Sequence, residues 1–153
     1  MRLAELLDPE LVLIDPPVGT REELFARFGA VVARRHPQLD RSRIVEVLLE
    51  REAILATGVG KGIAVPHGQL PDLDGLVLAA STHPGGLAYP SLDGEPVRLV
   101  FCLLGGPGSA ARHLACLARI ARLARHASSL DPLVSASSPQ EFLDRLRGLE
   151  EEV

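Results

Sequence analysis

Residues 56–70 read ATGVGKGIAVPHGQL, with three glycines and a lysine inside five positions followed by proline, histidine and glycine. Two chemistries use such a stretch: cradling a nucleotide phosphate, or presenting one histidine. A Walker-type loop needs G-x-x-x-x-G-K-[ST], with a hydroxyl for Mg²⁺ and a helix start behind the phosphates. Here Gly62 follows Gly60-Lys61, Leu55 stands where the first glycine belongs, and the next residues are strand-like and then broken by Pro66. The dinucleotide pattern G-x-G-x-x-G fails as well, because the glycines fall at 58, 60 and 62 and the strand follows them instead of preceding them. The spacing therefore favours histidine presentation. Glycines allow backbone conformations closed to other residues, and proline cannot donate to a strand ladder. Pro66 is expected to end a short buried strand, 63–65, and leave His67 at its carboxyl end, with Gly68 open beside it. Taken alone, Pro-His-Gly fits a surface histidine in a turn better than a functional one.

His113 is the second candidate. The steps from His113 to Leu117, Ile120 and Ala124 follow one inward helical stripe, while Arg112, Arg119 and Arg122 fall on a different, outward one. A buried imidazole near a helix N-terminus is held neutral, and a neutral ring donates one hydrogen bond and accepts another. A core histidine satisfied by a backbone carbonyl has the same pattern. His67, His83, His113, Cys102 and Cys116 are all potential zinc ligands, yet there is no C-x-x-C and no H-E-x-x-H. Cys102 lies in an apolar strand and Cys116 on a helix, as packed thiols do. His83, in a Gly/Pro-rich stretch, and Lys61 are expected to face solvent.

These residues need a scaffold. Residues 3–7 can form one helical turn, and 11–15 a strand stopped by Pro16-Pro17. Thr20 and Glu23 make a capping box for a helix over 21–35. Asp40 or Ser42 can start a second helix whose buried face carries Ile44, Val47, Leu48 and Leu55. The near-continuous apolar runs 76–82 and 97–104 predict strands covered on both faces, with Asp93-Gly94 turning the chain between them. Ser109 is placed to cap a helix over 109–126, and Ser137 or Ser138, with Pro139, to cap the last one. The interleaving predicts one α/β domain over 1–153, with helices packed on a mostly buried sheet.

Composition agrees. Of 153 residues 46% are hydrophobic but only 3% aromatic, so the core must be aliphatic, and a net charge of −4 gives no basic footprint for nucleic acid. Two separated cysteines, acids among the first ten residues and no apolar run of about 20 residues predict a cytoplasmic protein without signal peptide, disulfide or membrane insertion.

The stretch LLEREAILATGVGKGIAVPHG, together with LDGEPVRLVFCLLGGP and HLACLARIARLAR, resembles the enzyme IIA components of the phosphoenolpyruvate:sugar phosphotransferase system, in the fructose/mannitol and nitrogen-regulatory class. The likeness covers essentially the whole chain, and PHGQL leans toward the nitrogen-regulatory branch. It implies a single domain with a mixed β-sheet flanked by helices on both faces. It also implies a phosphoryl carrier without cofactor or metal. His67 would accept a phosphoryl group from the phosphorylated histidine carrier protein and pass it to a IIB partner, or hold it as a regulatory signal. His113 would support it, with Arg51 and Thr57 nearby. A chain of this length has no room for fused IIB or membrane domains, so an acceptor would be a separate protein. A regulatory binding module, switched by phosphorylation, is the other role this resemblance allows.

Overall fold

The computed structural model describes residues 2–126 and 130–153. A six-stranded mixed sheet carries helices on both faces. A four-residue helix α1 (Leu3–Leu6) leads into β1 (Leu7–Ile14), followed by α2 (Arg21–Arg35) and α3 (Arg41–Ile54). Three short strands come next, β2 (Gly58–Gly60), β3 (Ile63–Ala64) and β4 (His67–Gln69), then the long β5 (Leu76–Leu87) and β6 (Val97–Gly105). Helices α4 (Ala110–Arg125), α5 (Asp131–Val134) and α6 (Pro139–Glu152) complete the chain. The strand order is β1-β5-β6-β3-β2, with β4 also on β6. β5 and β6 run antiparallel, while β1, β3 and β4 pair parallel with their neighbours on that central hairpin.

Side-chain alternation explains why β5 and β6 look uniformly apolar. Leu78, Ala80, Leu99, Phe101 and Leu103 point to a core shared with α1, α4, α5 and α6. Val77, Ala79, Val100, Cys102 and Leu104 point to the opposite core, under α2 and α3. Both faces are dry, so no strand residue there needs to be polar. The two free cysteines lie in these separate cores, Cys102 under α2 and α3 and Cys116 on α4. Pro9 is tolerated in β1 because β1 is an edge strand whose register shifts between Leu7 and Val12. Thr20 caps α2, its hydroxyl accepting from the Glu23 N–H at 3.1 Å. Asp40 caps α3 and Ser138 caps α6.

Several expectations are corrected. Leu55 is not on the buried face of α3: it follows the helix as an extended residue and is 62% exposed. Ser109 precedes α4 but does not cap it, because its hydroxyl donates to the Gly106 carbonyl at 2.6 Å across the glycine turn. Arg119 is half-buried, 3.7 Å from Glu150, instead of facing water. Pro66 interrupts the strand without ending the ladder, since its carbonyl accepts from the Leu103 N–H at 3.0 Å and pairing resumes at His67. His67 therefore opens β4 and does not sit in a loop at a strand's carboxyl end. The largest departure is His83. Pairing continues past Thr82, with a register shift that absorbs Pro84, Gly85 and Gly86, so His83 lies in the sheet at 5% exposure.

His83 has a consequence for stability. Its ring shares a 2.8 Å hydrogen bond with the Ser81 hydroxyl, and burial pushes its pKa down to about 4, against a small opposing effect of Asp15. The unfolded chain takes up this proton near the ordinary value of about 6.5, so acidification from there to about 4 favours unfolding. Above that window both states are neutral at this residue. Urea unfolding of wild type and His83→Gln should show the wild type losing stability relative to the variant as pH falls through the window. A difference that stays constant with pH would contradict the buried neutral imidazole.

Candidate active site

Three elements converge beside β4. The last turn of α3 supplies Arg51, the start of β4 supplies His67, and the first turn of α4 supplies His113. The His67 Nδ1 lies 2.8 Å from the Val65 carbonyl, which can only accept, so Nδ1 carries the proton. That leaves the lone pair on Nε2, where the Arg51 Nε–H donates at 3.2 Å. Arg51 is steadied at its other end by a 2.8 Å bond from Nη1 to the Leu55 carbonyl, past the C-terminus of its own helix. The rings of His67 and His113 meet edge to face, with centroids 5.4 Å apart and planes at 73°.

His113 is only 8% exposed, and burial, then the neighbouring His67, holds its pKa below the usual histidine range. Its Nδ1 is buried without a hydrogen-bond partner among the described residues. A bare lone pair costs less there than an unpaired N–H, which places the proton of the neutral ring on Nε2. A Cβ on Gly105 would stand 3.2 Å from His113 Nδ1 and 2.7 Å from the Ser109 hydroxyl, so glycine is what lets α4 bring this ring close to the end of β6.

Around His67 opens a cleft of about 510 Å³. Leu117, Ile120, Ala121 and Ala124 of α4 form one wall, and Leu55, Val59 and Leu92 form part of the other. Among the described residues its charged lining is Arg51, Lys61 and Arg125, with no carboxylate, although the chain as a whole is acidic. Lys61 is exposed with φ at 58°, and its N–H donates to Asp93 Oδ2 at 2.9 Å. A cationic rim around an imidazole suits a phosphoryl group.

The structure thus brings His67, Arg51 and His113 together. Thr57 lines the same cleft, but its hydroxyl donates to the Glu52 carboxylate and lies 2.7 Å from the Tyr89 hydroxyl instead of reaching the imidazole. Cys102, Cys116 and His83 are elsewhere in the cores, and no group of three or more His, Cys, Asp or Glu among the described residues could hold a metal ion. Of the buried partners of Thr57, Glu52 is named from sequence only as the residue beside Arg51 in the family stretch, with no role, and Tyr89 is not singled out. The signals were there in outline: an acid directly after Arg51, and the only tyrosine of the chain.

Residues 5–148 match the family model described as phosphoenolpyruvate-dependent sugar phosphotransferase system, EIIA 2. The chain belongs to that family. A nitrogen regulatory protein of Bradyrhizobium diazoefficiens is 39% identical to this IIA chain over 125 residues, covering 82% of it and 81% of the relative. Among solved structures, nitrogen regulatory protein IIA-Ntr from Neisseria meningitidis superposes with a TM-score of 0.86 at 28% identity, covering 94% of this chain and 98% of that one. The mannitol IIA domain of Escherichia coli, solved in complex with phosphorylated IIB, shares the fold with a TM-score of 0.75 at 20% identity, covering 93% and 97%. Membership supports a phosphoryl-carrier or regulatory role for this IIA domain. No helix among its described residues is long and apolar enough to cross a membrane.

The neutral state of His113 is directly measurable. In a pH titration followed by NMR, its ring should titrate below the ordinary histidine value of about 6.5. A midpoint at or above that value would contradict a neutral, buried donor.

Proposed function

We propose that this IIA domain carries a phosphoryl group on Nε2 of His67. The phosphorylated histidine carrier protein donates it, and a IIB partner accepts it or a regulatory target reads it. The observation that carries this reading is the fixed tautomer: Val65 holds the Nδ1 proton, so the lone pair is on Nε2, beside Arg51 and at the edge of His113.

Transfer between two imidazoles passes through a loose transition state with charge spread over the phosphoryl oxygens. Nε2 of His67 forms the new P–N bond as the donor's P–N bond breaks, and the donor imidazole takes back its electron pair. No proton need move at phosphorus. The Nδ1–H stays on the Val65 carbonyl and so shares the positive charge that develops on the ring. The Arg51 guanidinium, released from the Nε2 lone pair, turns to the phosphoryl oxygens, and the Nε2–H of His113 meets them from the other side. Nucleotide, metal and organic cofactor have no part in these steps. Thr57 acts at one remove, through the backbone that presents His67.

Ile54, Leu55, Val59 and Leu92 are large and exposed close to the cleft, and Leu114 follows His113. Such a patch marks a protein-contact face. It suits a carrier that docks on successive partners, and it also favours the second reading, a switch. In that reading a phosphate dianion in the middle of the patch changes which partner binds, and onward transfer is secondary. Both readings place the protein in the cytoplasm, where the carrier proteins work.

Intact-protein mass spectrometry at alkaline pH tests the proposal, with phosphoenolpyruvate, enzyme I and the histidine carrier protein as donors. The wild type should gain one acid-labile phosphoryl group and His67→Ala none. His113→Ala should still accept it, at a rate lower by about 10²-fold. Labelling of His67→Ala at the wild-type rate would overturn the assignment, and a phosphoryl group found on His113 would reverse the two roles.

A further inference from the structure

Behind the cleft lies a buried polar cluster that the proposed chemistry does not touch. The Glu52 side chain, 1% exposed, accepts from the Thr57 N–H on Oε2 at 3.1 Å and from the hydroxyls of Thr57 and Tyr89 on Oε1. Arg21, the first residue of α2, stands 3.6 Å from Oε2, and its guanidinium carbon lies 5.9 Å from the centre of the Tyr89 ring. Burial and the Glu52 carboxylate hold the Tyr89 hydroxyl firmly protonated, so it remains a donor. The carboxylate thus has three hydrogen-bond donors, from the loop after α3 and from the segment between β5 and β6, and an ion-pair partner from α2.

Thr57 is bound at both ends. Its hydroxyl and N–H go to Glu52, while its carbonyl accepts the Val65 N–H at 3.0 Å. The carbonyl of that same Val65 takes the Nδ1 proton of His67. The segment after Tyr89 fastens the rest of the loop. Leu92 N–H donates to the Gly58 carbonyl at 3.2 Å, and Asp93 accepts from the Lys61 N–H. At Gly58 the two segments touch so closely that a Cβ would come within 2.3 Å of the Pro90 carbonyl.

We propose that Tyr89 and Glu52 are positioning residues for phosphoryl acceptance, acting through Thr57 and Val65 to fix the tautomer and orientation of His67. This rests on His67 being the acceptor. Neither residue touches the imidazole; their effect is to keep the Val65 carbonyl where it holds Nδ1–H and leaves Nε2 free. Displacing a reacting atom by about 1 Å can cost as much as about 10²-fold in rate, so loosening one member of this chain should show in turnover before it shows in docking.

The test uses the full chain with Tyr89→Phe, which keeps the ring and removes only the hydroxyl. Circular dichroism should report a folded protein. The kcat of phosphorylation should fall about tenfold, with KM for the carrier protein within about twofold. NMR of ¹⁵N-histidine-labelled protein should show the Nδ1–H tautomer alone for His67 in the wild type and a mixture with Nε2–H in the variant. Thr57→Ser, which keeps the hydroxyl, should lie closer to wild type than Thr57→Val in both measurements. A folded Tyr89→Phe with wild-type kcat and a single Nδ1–H tautomer would overturn the proposal. If the wild type accepts no phosphoryl group, the carrier reading fails, while the tautomer measurement, which needs no donor, still decides the positioning role.

Discussion

The bond from His67 Nδ1 to the Val65 carbonyl is the constraint on which the site depends. It decides which nitrogen keeps a free lone pair, and it does so with backbone alone. The carbonyl is itself held on both sides. The Val65 N–H is fixed to Thr57, and the next residue, Pro66, gives its carbonyl to the Leu103 N–H of the central strand. Proline also biases the residue before it toward extended backbone. The three residues Val65, Pro66 and His67 thus lie on β6 with little freedom, and the imidazole inherits that rigidity. A histidine on a free loop would sample both tautomers and several ring orientations, each unproductive one reducing the fraction ready to react.

Arg51 and Glu52 show how the same region keeps its charges apart. Consecutive residues on a helix are separated by about 100°, so one can face the cleft and the other the core. Arg51 turns to His67, whereas Glu52 turns to Thr57, Tyr89 and Arg21. The carboxylate is satisfied where it is, so it does not compete for the guanidinium that the cleft needs. Had Glu52 pointed outward, an ion pair with Arg51 would have cancelled the positive potential beside His67 Nε2.

All three residues of the site were legible in the sequence, His67 and His113 from local pattern and Arg51 through the family resemblance, although His67 was expected after a strand and the structure makes it the first residue of β4. Glycine spacing, Pro66 and the stripe from His113 all register local rules of backbone and helix, which a single sequence expresses directly. His83 was misplaced because Pro84, Gly85 and Gly86 are loop-forming by local rules, whereas here β6 supplies partners that carry the strand through them. Leu55 was misplaced for the complementary reason: the helical stripe would bury it, but α3 stops at Ile54 and exposes the next residue. The cluster of Glu52, Thr57 and Tyr89 joins residues up to 37 positions apart. No periodicity connects such residues, and only the tertiary fold makes them one unit.

For the proposed carrier, the placement of His67 is a compromise between chemistry and access. Full burial would strengthen every electrostatic contact to the phosphoryl oxygens but would close the path for a protein donor. His67 is instead half-buried at the floor of an apolar cleft, with Leu55 and Leu92 exposed at its walls. In that proposal a partner pressing on those leucines would expel water, and the dry environment would exist only while donor and acceptor are together. Between encounters the site is wet, and the cationic rim of Arg51, Lys61 and Arg125 is screened by solvent. In the proposed carrier, the same exposed apolar residues that favour docking therefore also time the electrostatic stabilisation, making it strongest when the phosphoryl group would lie between two histidines.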